Sequence, residues 1–260
     1  MAEELLENRD GRGIVTLTLN RPEKLNALTK TLWAELGRAF RRLHEDDGVR
    51  CIVLRGAGTR SFAPGNDISE FDNDRADSAQ AKAYGAIMHE TLAAMAACRH
   101  PSVAMIHGIC VGGGLEIAGH CDIRICGRSS RFGVPIAKLG LVMAYPEISG
   151  LVRLAGPVGA LEILLEGRVF DADEALARRL ITRAVADDQV EAEAMAAAVR
   201  IAEGAPLVHR WHKQFVRRLA DPRPLSPEEL DEGYACFDTR DFHTGLRAFL
   251  AKEKPTFEGR

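Results

Sequence analysis

Apolar and polar positions change period several times along the chain, and each change marks an element. Gly13 to Leu19 reads G-I-V-T-L-T-L, with Thr alternating with branched apolar residues, which predicts a strand. A Pro-containing turn follows at Asn20-Arg21-Pro22-Glu23-Lys24. Leu32, Trp33, Leu36, Phe40 and Leu43 then recur at helical spacing behind Thr29, which predicts a helix over Lys30 to His44 with Thr29 as its N-cap. Asp46-Asp47-Gly48 closes that unit, and the apolar run Val49 to Arg55 predicts a buried strand. Gly56 to Asn66 reads as a loop of small residues, and Asp72 to Ala79 as a polar, mobile connection. An Ala-rich helix is predicted over Gln80 to Cys98, and a strand over Ser102 to His107. A glycine-rich turn at Gly108 to Gly114, a helix from Leu115 to His120 and a strand from Cys121 to Cys126 complete the pattern.

Strands and helices therefore alternate from Gly13 to about Val185, the signature of an α/β fold with mostly parallel strands. Beyond that point the pattern changes. Val190 to His212 is an Ala- and charge-rich helical stretch, Pro222, Pro224 and Pro227 interrupt it, and helical patterning resumes to Lys252. The expected organisation is an α/β core over 1–195 and a helical region over 196–260.

Composition narrows the partners. The 260 residues include 34 Lys plus Arg and 37 Asp plus Glu, a net charge of −3, which argues against a nucleic-acid polyanion as the main partner. No run approaches the ~20 uninterrupted apolar residues of a membrane helix. The acidic Met1 to Asp10 lacks the charged-then-apolar order of a signal peptide, so a cytoplasmic protein is expected. The six cysteines contain no C-x-x-C pair and sit mostly among apolar neighbours, the pattern of buried free thiols.

The chemistry concentrates in two stretches. Val111-Gly112-Gly113-Gly114-Leu115-Glu116 ends a strand and opens a helix. Its first helical N–H groups lack internal partners and carry the positive end of the helix dipole, a ready site for a developing oxyanion. Glu116 follows Gly113 by three residues, about one turn, so its carboxylate and the Gly113 N–H can face one space: a base beside an oxyanion donor. The plain structural alternative is a close-packing turn with Glu116 favoured by the dipole. The second stretch, Ser61-Phe62-Ala63-Pro64-Gly65-Asn66-Asp67-Ile68, also follows a buried strand and offers a second backbone donor. Its Asp67 can equally cap the helix that follows.

Together the two stretches resemble the crotonase (enoyl-CoA hydratase/isomerase) family, and the likeness extends over nearly the whole chain. Leu19-Asn20-Arg21-Pro22 with Leu25-Asn26-Ala27-Leu28 is similar to the family's first turn, which contacts coenzyme A. Ala104 to Gly108, Cys121 to Arg124, Phe132-Gly133-Val134-Pro135, Leu139-Gly140-Leu141, Asp238-Thr239 and Phe249 to Lys252 match its later segments in order. The resemblance implies a spiral of ββα units with a C-terminal helical oligomerisation region, assembled as a homotrimer or a dimer of trimers. It implies an acyl-CoA thioester whose carbonyl is polarised by the N–H groups of Asn66 and Gly113, with Glu116 as the acid/base. Coenzyme A enters only as part of the substrate, with no metal and no redox cofactor. Substrate contacts are expected from Lys24, Leu25 and Ala27 in the first turn, from Ala63, Gly65, Asp67 and Ile68 in the loop, and from Gly112, Ile136 and Tyr145.

One departure changes the picture. Hydratases of the family carry a second glutamate directly after the proline of the F-G-x-P segment, and here that residue is Ile136, which cannot exchange a proton. The implied activity is hydration of a 2-enoyl-CoA. An isomerase, a decarboxylase or a non-catalytic acyl-CoA-binding homologue stands as the alternative. A protease of the same spiral core is set aside, because no serine lies between Gly108 and Glu116. Tyr145 and Glu147 are candidates for a relocated polar group, with a surface or subunit-contact position as the expected reading. His107, and less so His89, are alternative bases, and His107 is expected to be a buried, hydrogen-bonded histidine. Lys24, Lys252 and Lys254 are candidate partners for the coenzyme A phosphates.

Overall fold

A computed structural model describes residues 3–260. The chain opens with β1 (Leu5–Arg9), β2 (Ile14–Leu19) and α1 (Lys30–Glu45). Three successive units follow. In each, a long strand is succeeded by a three-residue strand and then by helix: β3 (Cys51–Gly56), β4 (Ser61–Ala63), α2 (Phe71–Asp74) and α3 (Ser78–Ala97); β5 (Ser102–Ile106), β6 (Ile109–Val111) and α4 (Gly113–His120); β7 (Ile123–Gly127), β8 (Arg131–Gly133) and α5 (Tyr145–Glu166). The remainder comprises β9 (Val169–Phe170), α6 (Ala172–Ala177), β10 (Arg183–Val185), α7 (Val190–Ala202), α8 (Pro206–Arg218), α9 (Pro227–Asp231) and α10 (Arg240–Ala251).

The long strands build one sheet in the order β1-β2-β3-β5-β7-β10, and the short strands build a second in the order β4-β6-β8-β9. Every pairing is parallel except β1 with β2 and β8 with β9. Each ββα unit therefore places one strand in each sheet, and the turn after each short strand emerges at one edge of the small sheet. In two of the three units that turn holds the candidate donors Asn66 and Gly113.

Burial follows the sequence pattern. Leu32, Trp33, Leu36, Phe40 and Leu43 of α1 are buried, and Thr29 accepts a hydrogen bond from the Leu32 N–H at 3.0 Å as an N-cap. One face of the large sheet packs on α1 and α3. Its other face (Ile14, Cys51, Val53, Val103, Met105 and Ile125) packs on Val190, Ala194, Ala197 and Ala198 of α7. The expected division between 195 and 196 thus falls inside a helix that belongs to the core. The helical stretch Val190 to His212 is two helices, parted at Gly204-Ala205-Pro206, because Pro206 starts a new helix at its first position.

The acidic amino-terminal segment, for which the sequence predicts no element, contains an edge strand, β1. Three further expectations are corrected. The loop at Gly56 to Asn66 and the turn at Gly108 to Gly114 each contain a short strand, and the polar connection begins with helix α2. One helix, α5, is long and apolar enough by composition to cross a membrane. It bends at Gly156-Pro157, where Gly156 adopts φ 70°, and it buries Glu147, Gly150, Leu151, Ala160 and Ile163 within the protein. All six cysteines are free, and five are buried.

Candidate active site

Two bends meet at one cavity of about 370 Å³. The first leaves β4 through Pro64-Gly65-Asn66. Here the Gly65 carbonyl accepts from the Leu28 N–H and the Asp67 N–H donates to the Leu28 carbonyl, both at 2.9 Å. Extended backbone alternates the direction of its polar groups, so a residue flanked by two bonds on one side points its own N–H to the other. The Asn66 N–H has no acceptor among the described residues. Its side chain is held from behind: the Trp33 indole N–H donates to Asn66 Oδ1 at 2.7 Å.

The second bend leaves β6 through Gly112 into α4. Gly112 adopts φ 52° and ψ −124°, a backbone state that side-chain-bearing residues rarely enter. Gly113 is the first residue of α4, and its N–H likewise has no acceptor among the described residues. The bends touch: a Cβ on Gly65 would lie 3.5 Å from the Gly113 nitrogen, and one on Gly113 would lie 3.6 Å from Asn66 Oδ1. Gly114 permits this approach, since a Cβ there would fall 2.1 Å from the Ala63 carbonyl oxygen. Two unpartnered main-chain donors from different units thus lie on the wall of one cavity.

Glu116, one turn into α4, lines the same cavity and is only 8% exposed. Its Oε2 has no hydrogen-bond partner among the described residues. Burial, with a smaller contribution from the nearby Glu147 carboxylate, pushes its pKa up to about 8, against the opposing charge of Arg75. The raised pKa favours the protonated form of Glu116 near neutral pH.

Glu147 also lines the cavity and is 8% exposed, so the expected surface position is corrected. It is the third residue of α5. Its Oε2 accepts from the Ala144 N–H at 2.9 Å, and its Oε1 lies 3.0 Å from His89 Nε2 on α3. Two residues earlier, Tyr145 is 93% exposed and lies off the cavity, because two helical steps turn its side chain to the opposite face.

The other expected residues divide. Ala27, Gly65, Asp67, Ile68, Gly112 and Ile136 line the cavity, whereas Lys24, Leu25 and Ala63 do not. Ala63 is buried behind the wall with its carbonyl against Gly114, and Lys24 is exposed in the adjoining turn. The Asp67 carboxylate caps the following turn through the Ser69 N–H at 3.1 Å and pairs with Arg21 at 2.9 Å. Its pKa is lowered, first by the Ser69 hydroxyl and then by Arg21. His107 is buried off the cavity and its Nε2 lacks a partner, against the hydrogen-bonded expectation. Burial lowers its pKa. Lys254 pairs with Glu203 at 2.6 Å.

Sequence reasoning missed Arg75. It follows α2 in the stretch read as a mobile connection, yet it lines the cavity with its guanidinium stacked over Phe71 and Tyr84 at 4.6 and 5.0 Å. The available signal was Phe71 one helical turn earlier. The remaining wall, from Leu139 to Met143 with Ile68 and Phe71, is apolar.

A family model described as enoyl-CoA hydratase/isomerase matches residues 9–260. The chain belongs to the enoyl-CoA hydratase/isomerase family. It is 35% identical over 99% of both chains to a Mycobacterium bovis protein named "Probable enoyl-CoA hydratase". It is 31% identical over 94% of both chains to the crotonyl-CoA hydratase of Syntrophomonas wolfei. A crystal structure of an enoyl-CoA hydratase/carnithine racemase from Magnetospirillum magneticum superposes with a TM-score of 0.97 at 52% identity, covering 100% of this chain and 97% of that one. Members of this family share the architecture described above, so the expected ββα spiral with a helical C-terminal region holds. The chain is an enzyme of that family.

Proposed function

We propose that this enzyme adds water to the double bond of a 2-enoyl-CoA thioester. The observation that carries the reading is the meeting, on one cavity, of two main-chain N–H groups without acceptors and a buried carboxylic acid. The Asn66 and Gly113 N–H groups receive the thioester oxygen. As water bonds to the β-carbon, the π electrons move toward the carbonyl and an enolate forms, and the two donors stabilise the charge on its oxygen. Each such donor contributes about 3 kcal/mol to the transition state. Glu116, holding its proton at neutral pH, then protonates the α-carbon. The apolar wall of Ile68, Phe71, Leu139 and Leu141 receives the acyl chain, and Ile136 faces that chain at the position where the family resemblance calls for a second acid. The turn from Lys24 to Ala27 receives the coenzyme A moiety, and the chemistry calls for no metal or redox cofactor.

The test is loss of the enoyl absorbance of crotonyl-CoA with purified protein, followed by identification of the 3-hydroxyacyl product. Turnover that disappears in Glu116→Gln, with the fold intact, supports the reading. Saturable binding of enoyl-CoA without turnover, or turnover unaffected in Glu116→Gln, overturns it. Ile136 favours one second reading, a double-bond isomerase that relies on the oxyanion donors and a single acid. A 3-enoyl-CoA converted to its 2-enoyl isomer, faster than the 2-enoyl ester is hydrated, is the outcome that selects it.

A further inference from the structure

Hydration needs two proton movements: one leaves the attacking water and one arrives at the α-carbon. In the reading proposed above Glu116 serves the second, and Ile136 can serve neither. The cavity nevertheless holds another carboxylate, carried by α5 and eleven residues further along the chain. Glu147 is buried beside Glu116, near enough for its charge to act on that residue, and it opens on the same space. Its position is fixed at both oxygens. The Ala144 N–H anchors Oε2 at 2.9 Å, and His89 Nε2, on α3 behind the cavity lining, lies 3.0 Å from Oε1. His89 is itself set by α3, whose Thr91 hydroxyl donates to the Trp33 carbonyl at 2.8 Å and whose Met88 lies against the Asn66 amide at 3.8 Å. One helix thus backs both the oxyanion bend and the second carboxylate.

We propose that Glu147 is the second proton-transfer group of this site, taking the proton of the attacking water, and that His89 is the residue that positions it. The inference rests on the hydratase reading above. The water oxygen forms its bond to the β-carbon while one of its O–H bonds breaks and that proton passes to the Glu147 carboxylate. The π pair moves to the enolate held at Asn66 and Gly113. The enolate then takes the Glu116 proton at its α-carbon. Glu147 ends protonated and Glu116 ionised, and one proton passing between them through water in the shared cavity restores the starting state. Water is added, and nothing is oxidised or reduced.

A helix-capping role alone predicts something different, because glutamine accepts from the Ala144 N–H as well as glutamate does. Two reactions are compared in the full-length enzyme. One is hydration of crotonyl-CoA. The other is exchange of the α-hydrogens of butyryl-CoA in deuterium oxide above pD 8, which needs Glu116 and the oxyanion donors but no attacking water. Glu147→Gln is expected to lower kcat for hydration by about 10²-fold or more while exchange stays within about threefold of wild type. Glu116→Gln is expected to abolish both. Hydration by Glu147→Gln within about threefold of wild type overturns the proposal and leaves the hydratase reading standing. Loss of both reactions in Glu147→Gln also overturns it, since the residue then supports the whole site. Wild-type enzyme that catalyses neither reaction overturns the hydratase reading itself. For His89, His89→Ala is expected to lower kcat about tenfold at unchanged KM, with His89→Gln restoring most of it. An unchanged kcat, or a loss that glutamine does not rescue, removes the positioning role.

Discussion

Trp33 donates its indole N–H to Asn66 Oδ1 at 2.7 Å, so a fully buried core residue of α1 fixes the side chain of a residue on the cavity wall. The bond explains why residue 66 is polar although its proposed chemistry lies in its main chain. Without that anchor the peptide is free to rotate away from the Gly113 N–H. Trp33→Phe keeps most of the packing and leaves Asn66 Oδ1 buried without its donor, which costs about 1–3 kcal/mol. The expected result is a lower melting temperature together with about a tenfold fall in kcat/KM for enoyl-CoA, as a misaligned donor gives up part of its transition-state stabilisation. Thermal denaturation and steady-state kinetics on the same preparation check it. A stability loss with kcat/KM unchanged shows that the main chain holds its aim by other means.

The contact of Gly114 with the Ala63 carbonyl sets a steric limit on the meeting of the two bends. A methyl group at position 114 would sit 2.1 Å from that oxygen, and both partners are backbone, so no side chain can swing aside. Gly114→Ala must therefore push α4 away from β4, which separates Gly113 from Asn66. The expected outcome is destabilisation of about 1–3 kcal/mol, the range for overpacking, with hydration lost even in the folded fraction. Denaturant unfolding monitored beside activity distinguishes these effects, and wild-type kcat in the variant would remove the link between spacing and chemistry.

Much of this arrangement is legible in the sequence, and the rest is hidden for physical reasons. β2, β3 and β5 show themselves as apolar runs because parallel strands inside the sheet are covered on both faces. β1 pairs only with β2 at the sheet edge and buries Leu5 alone, so LLENR carries no burial signal. β4, β6 and β8 are three residues each, too short to express a period, although their glycines mark the turns that follow. Gly113 and Glu116 stand out because a glycine turn opening a helix with a carboxylate one turn on is a local pattern, whereas Asn66 is singled out by the family resemblance alone. Glu147 does not stand out. Its neighbours Val142 and Tyr145 are 86% and 93% exposed, and its burial depends on His89, 58 residues earlier in the chain. A contact made only by tertiary folding leaves no trace in a window of sequence.

The raised pKa of Glu116 couples activity to pH. The folded enzyme holds that proton up to about pH 8, whereas the unfolded chain releases it in the ordinary carboxylate range. Between those limits the folded state carries the extra proton, so stability falls as pH rises, by on the order of 1 kcal/mol per pH unit. Glu116→Gln removes the titration. It is expected to match wild type in melting temperature near pH 5 and to exceed it progressively toward pH 8. Hydration by the wild type is expected to decline above about pH 8, as the proton donor ionises. Parallel thermal melts and a kcat profile check both, and a difference in melting temperature that does not grow with pH would show that Glu116 is ionised throughout.

Exposed apolar side chains cluster in the C-terminal region, among them Tyr234, Phe237, Leu246, Phe249 and Leu250. An exposed apolar patch of this kind calls for a partner. We propose that it is covered by further copies of the chain in a homotrimer or a dimer of trimers. Phe249→Glu with Leu250→Glu, both on exposed positions of α10, is expected to shift the particle to monomer in light scattering while circular dichroism is retained. A wild-type protein that is already monomeric at micromolar concentration rules out this assembly.

Ile136 stands where the family resemblance calls for a second glutamate. It lines the cavity and packs partly on the core. Ile136→Glu places a third carboxylate in a space that already holds Glu116 and Glu147, where desolvation and like charge both oppose ionisation. The single variant is expected to be less stable at pH 8 than at pH 5, with no gain in hydration, because Glu147 already serves the water. In the Glu147→Gln background the same substitution supplies a carboxylate where the enzyme lacks one, and hydration is expected to recover at least tenfold over Glu147→Gln alone. The double variant is informative because the two substitutions exert opposite effects on charge and leave the oxyanion bends untouched. If Ile136→Glu raises hydration in the wild-type background and does nothing in the Glu147→Gln one, the carboxylate on α5 is not the functional substitute for the missing acid.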